Sequence, residues 1–153
     1  MKIWIAGLAL LALATPVRAD DKPTIYNHAA VPANDLDKKL TAALAARFTV
    51  VDVAEGDVYA APKVLAGSLP SAARSETGEA LHGYVLVAYV VSVDGLASDP
   101  IIVESTDPRL DRFALEAMRA WRFTPGSVNG KVVPTASGQE FDFLSDVSRP
   151  RSS

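Results

Sequence analysis

The sequence predicts an α+β fold, and three local patterns carry that prediction. Between Asp107 and Gly130 a helical apolar stripe runs straight into a period-two strand and then a tight turn. From Gly83 to Ser92 apolar residues alternate as they do in a β-strand. Between Asn34 and Val53 a leucine stripe at helical spacing is followed by the β-prone run FTVVDV.

Met1 and Lys2 precede an apolar run, Ile3 to Ala14, broken by Thr15-Pro16 and followed by Val17-Arg18-Ala19. A run of roughly 12 residues is too short for a bilayer-spanning helix, which needs ~20. Small or apolar residues at the two positions a signal peptidase reads predict a secretory signal, residues 1–19, cleaved after Ala19. The alternative is an uncleaved anchor. Cleavage removes two positive charges and takes the formal charge from −3 to −5. That argues against a nucleic-acid binder, which needs a concentrated basic surface. There is no cysteine. An exported chain without one has no disulfides and rests on its core, and it has no thiol nucleophile or thiolate metal site.

Asp20 to Ala33 is polar and proline-containing, and is expected to be a flexible lead-in. Asn34 or Asp35 can cap a helix to about Arg47, with Leu36, Leu40 and Leu44 four apart and Ala43 beside them. The narrow stripe suits a helix on a surface or at an interface. Phe48 to Val53 reads as a strand, so residues 34–60 form a helix-strand extension. Ala61 to Ala73 approaches a short helix near Ser71 to Ser75. In the strand from Gly83, Val85, Val87, Tyr89 and Val91 face one way and Tyr84, Leu86, Ala88, Val90 and Ser92 the other. With both faces this apolar, the strand is central or covered by a partner. Asp94-Gly95 turns into a second strand, Ile101 to Glu104.

Asp107 can cap the next helix, with Pro108 at its first position. Leu110, Phe113, Ala114, Ala117, Met118 and Trp121 then lie along one face, at i, i+3, i+4, i+7, i+8 and i+11. These residues and Phe123 read as core. A third strand follows around Arg122, and Asn129-Gly130 supplies a hairpin turn. Lys131 to Leu144 is a last strand holding Pro134 and Gly138, which suits a sheet edge. Residues 145–153 form a basic, prolyl tail expected to be disordered.

The ordered signals resemble one family. They are Pro62-Lys63, Pro70, the alternation Gly83 to Val91, Asp94-Gly95, Ser105, Phe113-x-x-x-Ala117-x-x-x-Trp121-Arg122-Phe123-x-Pro125, Asn129-Gly130 and Phe141-x-Phe143. Together they look like the C-terminal domain of TonB energy-transducer proteins, over residues 61–144. The resemblance implies a small antiparallel sheet of about three strands with two helices packed on one face, here with the helix-strand extension in front. Val85, Val87, Tyr89, Phe113, Ala117, Trp121 and Phe123 would be its core. It also implies a periplasmic, non-enzymatic module that captures an extended peptide of an outer-membrane TonB-dependent receptor, or of another envelope protein, by adding it to a sheet edge. The edge would be the last strand, through Val133, Thr135, Ser137, Gln139 and Phe141, with Ser68 and Leu69 at its flank. The family's membrane anchor and proline-rich spacer have no counterpart here. Two alternatives stay open: a structural protein that self-associates into a homodimer, and a transducer whose uncleaved N-terminus contacts the membrane.

Other chemistry is weakly supported. His28 and His82 have no second ligand at metal spacing. Ser68, Ser71 and Ser75 lie in no nucleophile elbow. Asp94, Asp99, Asp107 and Asp111 fit turns and a helix start. The expectation is no cofactor, no metal and no catalytic residue. Arg109, Arg112, Arg119 and Arg122 read as a solvated face paired with Glu116; the alternative is a contact with peptidoglycan or an acidic partner.

Overall fold

The computed structural model describes residues 22–28, 34–70 and 72–143. The predicted signal and the predicted tail lie outside the described residues. The chain runs through β1 (Thr24–Asn27), α1 (Asp35–Ala45), β2 (Thr49–Asp52), β3 (Tyr59–Ala60), β4 (Lys63–Ala66), β5 (Gly83–Val91), β6 (Ala97–Ser105), α2 (Asp111–Ala120), β7 (Arg122–Thr124), β8 (Ser127–Val128), β9 (Lys131–Val132) and β10 (Thr135–Phe143). A 3-10 turn at Pro108–Leu110 leads into α2, and Asp107 caps it by accepting from the Arg109 N–H at 3.0 Å. The class is the expected α+β.

The main sheet has five strands in the order β2-β1-β10-β5-β6. β5 pairs antiparallel with β10 and β6, while β1 pairs parallel with both β10 and β2. β5 lies between β10 and β6, and its alternation sends two sets of side chains to two cores. Val85, Val87, Tyr89 and Val91 pack with Phe141 and Phe143 of β10, Trp121, Phe123, and Leu110, Ala114 and Met118 beneath α2. Phe113 and Ala117 are half-buried at the border of this core. Ala88 and Val90 face the other way, onto Leu44 of α1, Phe48 and Ile25 of β1. The outer face of β5 is apolar because the N-terminal extension covers it. α1 and α2 therefore lie on opposite faces of the sheet.

α1 starts with a capping box: Asn34 Oδ1 accepts from the Asp37 N–H at 2.8 Å, and the Asp37 carboxylate accepts from the Asn34 N–H. This arrangement satisfies two donors that the first helical turn leaves free. Leu40 of α1 lies against Gly138 of β10, so closely that a β-carbon there would come within 2.4 Å of Leu40 Cδ1. Gly138 lets the helix settle onto the strand, and the β5–β10 register runs through it without a bulge. Near its middle α1 is tied to β6 by Lys39, whose ammonium lies 2.5 Å from Glu104. Tyr84 donates its hydroxyl to the same carboxylate. Lys39 first, then Tyr84, hold the Glu104 carboxyl below its usual range.

Five expectations change. The lead-in contains a strand: Ile25 is buried, and the Tyr26 N–H donates to the Pro134 carbonyl at 2.9 Å. Ala72–Ser75 is not helical. The Ser75 N–H bonds to the Glu79 carbonyl and Gly78 takes φ +84°, which makes a turn. β7 leaves the main sheet and pairs with β4, touching the β5–β6 hairpin through a single Leu96–Arg122 bridge. The predicted last strand is broken at Val133–Pro134, so that only β10 joins the main sheet. β6 is longer than expected, with Asp99 at φ 51° and Pro100 inside it. It is an outer strand, where an interrupted ladder is tolerated.

Candidate peptide-binding edge

β10 is not a free edge along its whole length. β1 lies beside it where it begins, with Tyr26 opposite Thr135. Beyond that point, among the described residues, no strand pairs with its outer side. The expected contact residues divide accordingly. Val133, Thr135 and Phe141 are buried, so their side chains offer nothing to a bound strand. Phe141 is a core residue, its ring 5.7 Å from that of Trp121. Ser137 and Gln139 are half-exposed on the α2 side of the sheet. Ser137 lies opposite Tyr89, whose hydroxyl burial pushes up in pKa. Leu69 is 67% exposed, and the Ser68 carbonyl accepts from Trp121 Nε1 at 3.0 Å. The flank therefore reaches β10 through the Trp121 ring.

Backbone parity decides which groups are free. In an antiparallel ladder both backbone groups of a residue point to the same neighbour, alternating along the strand. The Pro134 carbonyl points to β1, and the β5–β10 register is unbroken. Residues 135, 137, 139, 141 and 143 therefore bond to β5. Gly138, Glu140 and Asp142 direct their N–H and C=O outward. One of these is already capped: Gln139 Nε2 donates to the Glu140 carbonyl at 2.7 Å. The amide stands where the N–H of an added strand would donate, and a bound strand would have to turn it aside.

Where β1 stops, a groove of about 560 Å³ opens between the strand ends and α1. Its walls include Asn27, His28, Asp37, Leu40, Asp52 and Gly138. Asn27 Nδ2 donates to Asp52 Oδ1 at 3.0 Å, and the His28 ring stacks on Tyr59 at 4.7 Å. The groove lies on the line of β1 and leads to the free part of β10. Sequence reasoning missed it, because its walls come from two segments that meet only when β1 pairs with β10. The β-branched and aromatic residues of Thr24-Ile25-Tyr26 were the available signal.

Three of the four arginines expected to form a solvated strip are individually tied down. Arg109 pairs with Asp107 at 2.6 Å, and Arg112 lies over the Phe113 ring at 4.7 Å. Arg122 Nη1 donates to the Trp121 and Arg119 carbonyls at 2.8 and 2.9 Å. Among the described residues none of them is ion-paired with Glu116.

No curated protein matches the chain. A solution NMR structure of the Pseudomonas aeruginosa TonB CTD is similar at 30% identity, covering 57% of this chain and 90% of that one, with a TM-score of 0.48. The family model described as Gram-negative bacterial TonB protein C-terminal matches residues 69–144, the stretch that carries β5, β6, α2, Trp121 and β10. By these two matches the chain belongs to the TonB C-terminal family.

Proposed function

We propose that this chain is a non-enzymatic peptide-capture module of the Gram-negative envelope. It pairs the free half of β10 with an extended segment of an outer-membrane TonB-dependent receptor or another envelope protein. Membership of the family supports the envelope-transport, receptor-interacting role. The observation that carries the finer reading is the row of outward backbone groups at Gly138, Glu140 and Asp142, with no paired strand beside them among the described residues. A strand added there gains main-chain hydrogen bonds without disturbing the fold, since β5 holds the other side.

The test is a titration of the exported chain with peptides from receptor N-termini, followed by amide NMR. Shifts are expected at Gly138, Glu140 and Asp142. Shifts confined to Lys63–Ala66, the exposed outer strand that carries Val64 and Leu65, would move capture to β4 and overturn the reading.

Export is part of the proposal. Residues 1–19 act as a signal, cleavage follows Ala19, and the chain works in the periplasm. The intact mass of the exported protein is expected to correspond to a chain starting at Asp20. A mass that includes Met1, found in the inner-membrane fraction, would replace the module with a membrane-held transducer.

A further inference from the structure

The free half of β10 has a sign as well as an opening. Glu140 and Asp142 are two apart, so both side chains stand on the α1 face of the sheet, and both are exposed. Among the described residues neither is ion-paired. Across the ladder they face Leu86 and Tyr84 of β5, which bring no positive charge. Lys39, the cation that α1 sends toward this face, is held by Glu104. At the groove end Asp37 and Asp52 add two more carboxylates, and Lys38 there is drawn to Asp35 at 3.2 Å.

We propose that the captured strand is basic: a heterologous extended peptide with Lys or Arg at two positions two residues apart, facing Glu140 and Asp142. This rests on β10 as the capturing edge. The unpaired backbone groups make the site, and the carboxylates decide its occupant. Side chains on an added strand that share a face with Glu140 and Asp142 come within about 5 Å of them, close enough for cross-strand pairing. An opposite-charge pair at such a position is worth a factor of roughly 1.4 to 5 in Kd, and two pairs roughly 2 to 30. Like charges directly opposite are penalised. The same rule weighs against a second copy of this chain pairing through β10, because its own Glu140 and Asp142 would meet these two.

The experiment uses the exported chain and two synthetic peptides with the same β-prone backbone. One carries Lys at two alternating positions, and the other carries Glu there. Kd is measured by calorimetry while the Gly138, Glu140 and Asp142 amides are followed by NMR. The Lys peptide is expected to bind more tightly, by at least that range because the Glu peptide also pays the like-charge penalty, and to lose the advantage as salt rises. In the double variant Glu140→Lys, Asp142→Lys, both positions being exposed, the preference is expected to reverse with the melting temperature unchanged. Equal affinities for the two peptides, with shifts still at these amides, would overturn charge selection and leave capture standing. No shift at these amides with either peptide would overturn capture as well. Concentration-dependent broadening of the same amides without peptide would identify a second copy as the occupant and overturn the proposal.

Discussion

Replacing Trp121 by alanine is expected to lower the free energy of unfolding by about 3–5 kcal/mol, the usual cost of deleting a buried indole. The ring is only 7% exposed. It meets Phe141 edge-on at 5.7 Å and Phe123 at 6.0 Å. On a further side it lies against Gly67, where a β-carbon would come within 2.8 Å of the ring. Alanine would leave a void between α2, β10 and the segment before Leu69. That segment would also lose the indole N–H that its Ser68 carbonyl accepts. A domain of this kind is stable by about 5–15 kcal/mol, so the loss takes a large part of the total. Trp121→Phe keeps part of the ring packing, loses the hydrogen bond, about 1 kcal/mol, and leaves a smaller void, so its cost is expected to fall between that figure and the alanine value. Urea denaturation with a constant slope measures both. A loss below 1 kcal/mol for Trp121→Ala would show that the ring does not anchor the core.

How much of this was legible in the sequence depended on how local the signal was. The stripe from Leu110 to Trp121, the alternation from Val85 to Val91 and the Asn129-Gly130 turn are complete within one element, and each appears where it was expected. The Leu40 and Leu44 spacing gave α1, and the apolar outer face of β5 showed that something covers it. Nothing in either segment said that the one covers the other. The occupancy of β10 was less legible still. It depends on Tyr26 meeting Thr135, and four residues between Lys22-Pro23 and His28 are too few for a period to show. Gly138 and Pro134 were read as signs of an edge. Among the described residues no strand pairs with the outer side of β10 beyond its start, but Gly138 serves the approach of Leu40, and Pro134 precedes the strand and offers its carbonyl to β1. Parity was hidden for the same reason. Residues 135, 137 and 139 seemed the natural contacts because they alternate, but only pairing with β5 shows that their backbone groups are already in use.

Proline at Gln139 and proline at Glu140 are therefore expected to fail in opposite ways. The Gln139 N–H points into the ladder opposite Val87, a residue with no exposed surface. Gln139→Pro strands a buried carbonyl, which by itself costs about 1–3 kcal/mol, and breaks the strand that holds Phe141 in the core. The Glu140 N–H points outward, where proline removes no internal bond, and the exposed side chain leaves no void. Its stability is expected to change by less than about 1 kcal/mol, as at an edge position that tolerates proline. The ring would nevertheless remove one outward donor and stand in the path of an added strand, so peptide affinity is expected to fall at least about tenfold, some 1.4 kcal/mol. Glu140→Gln keeps the N–H and drops the charge, which separates the backbone effect from the electrostatic one. Thermal melts and peptide titrations of the three variants decide the matter. If Glu140→Pro binds as the unaltered chain does, the outer side of β10 is not where peptide is held. If it unfolds as readily as Gln139→Pro, the parity assigned to β10 is wrong.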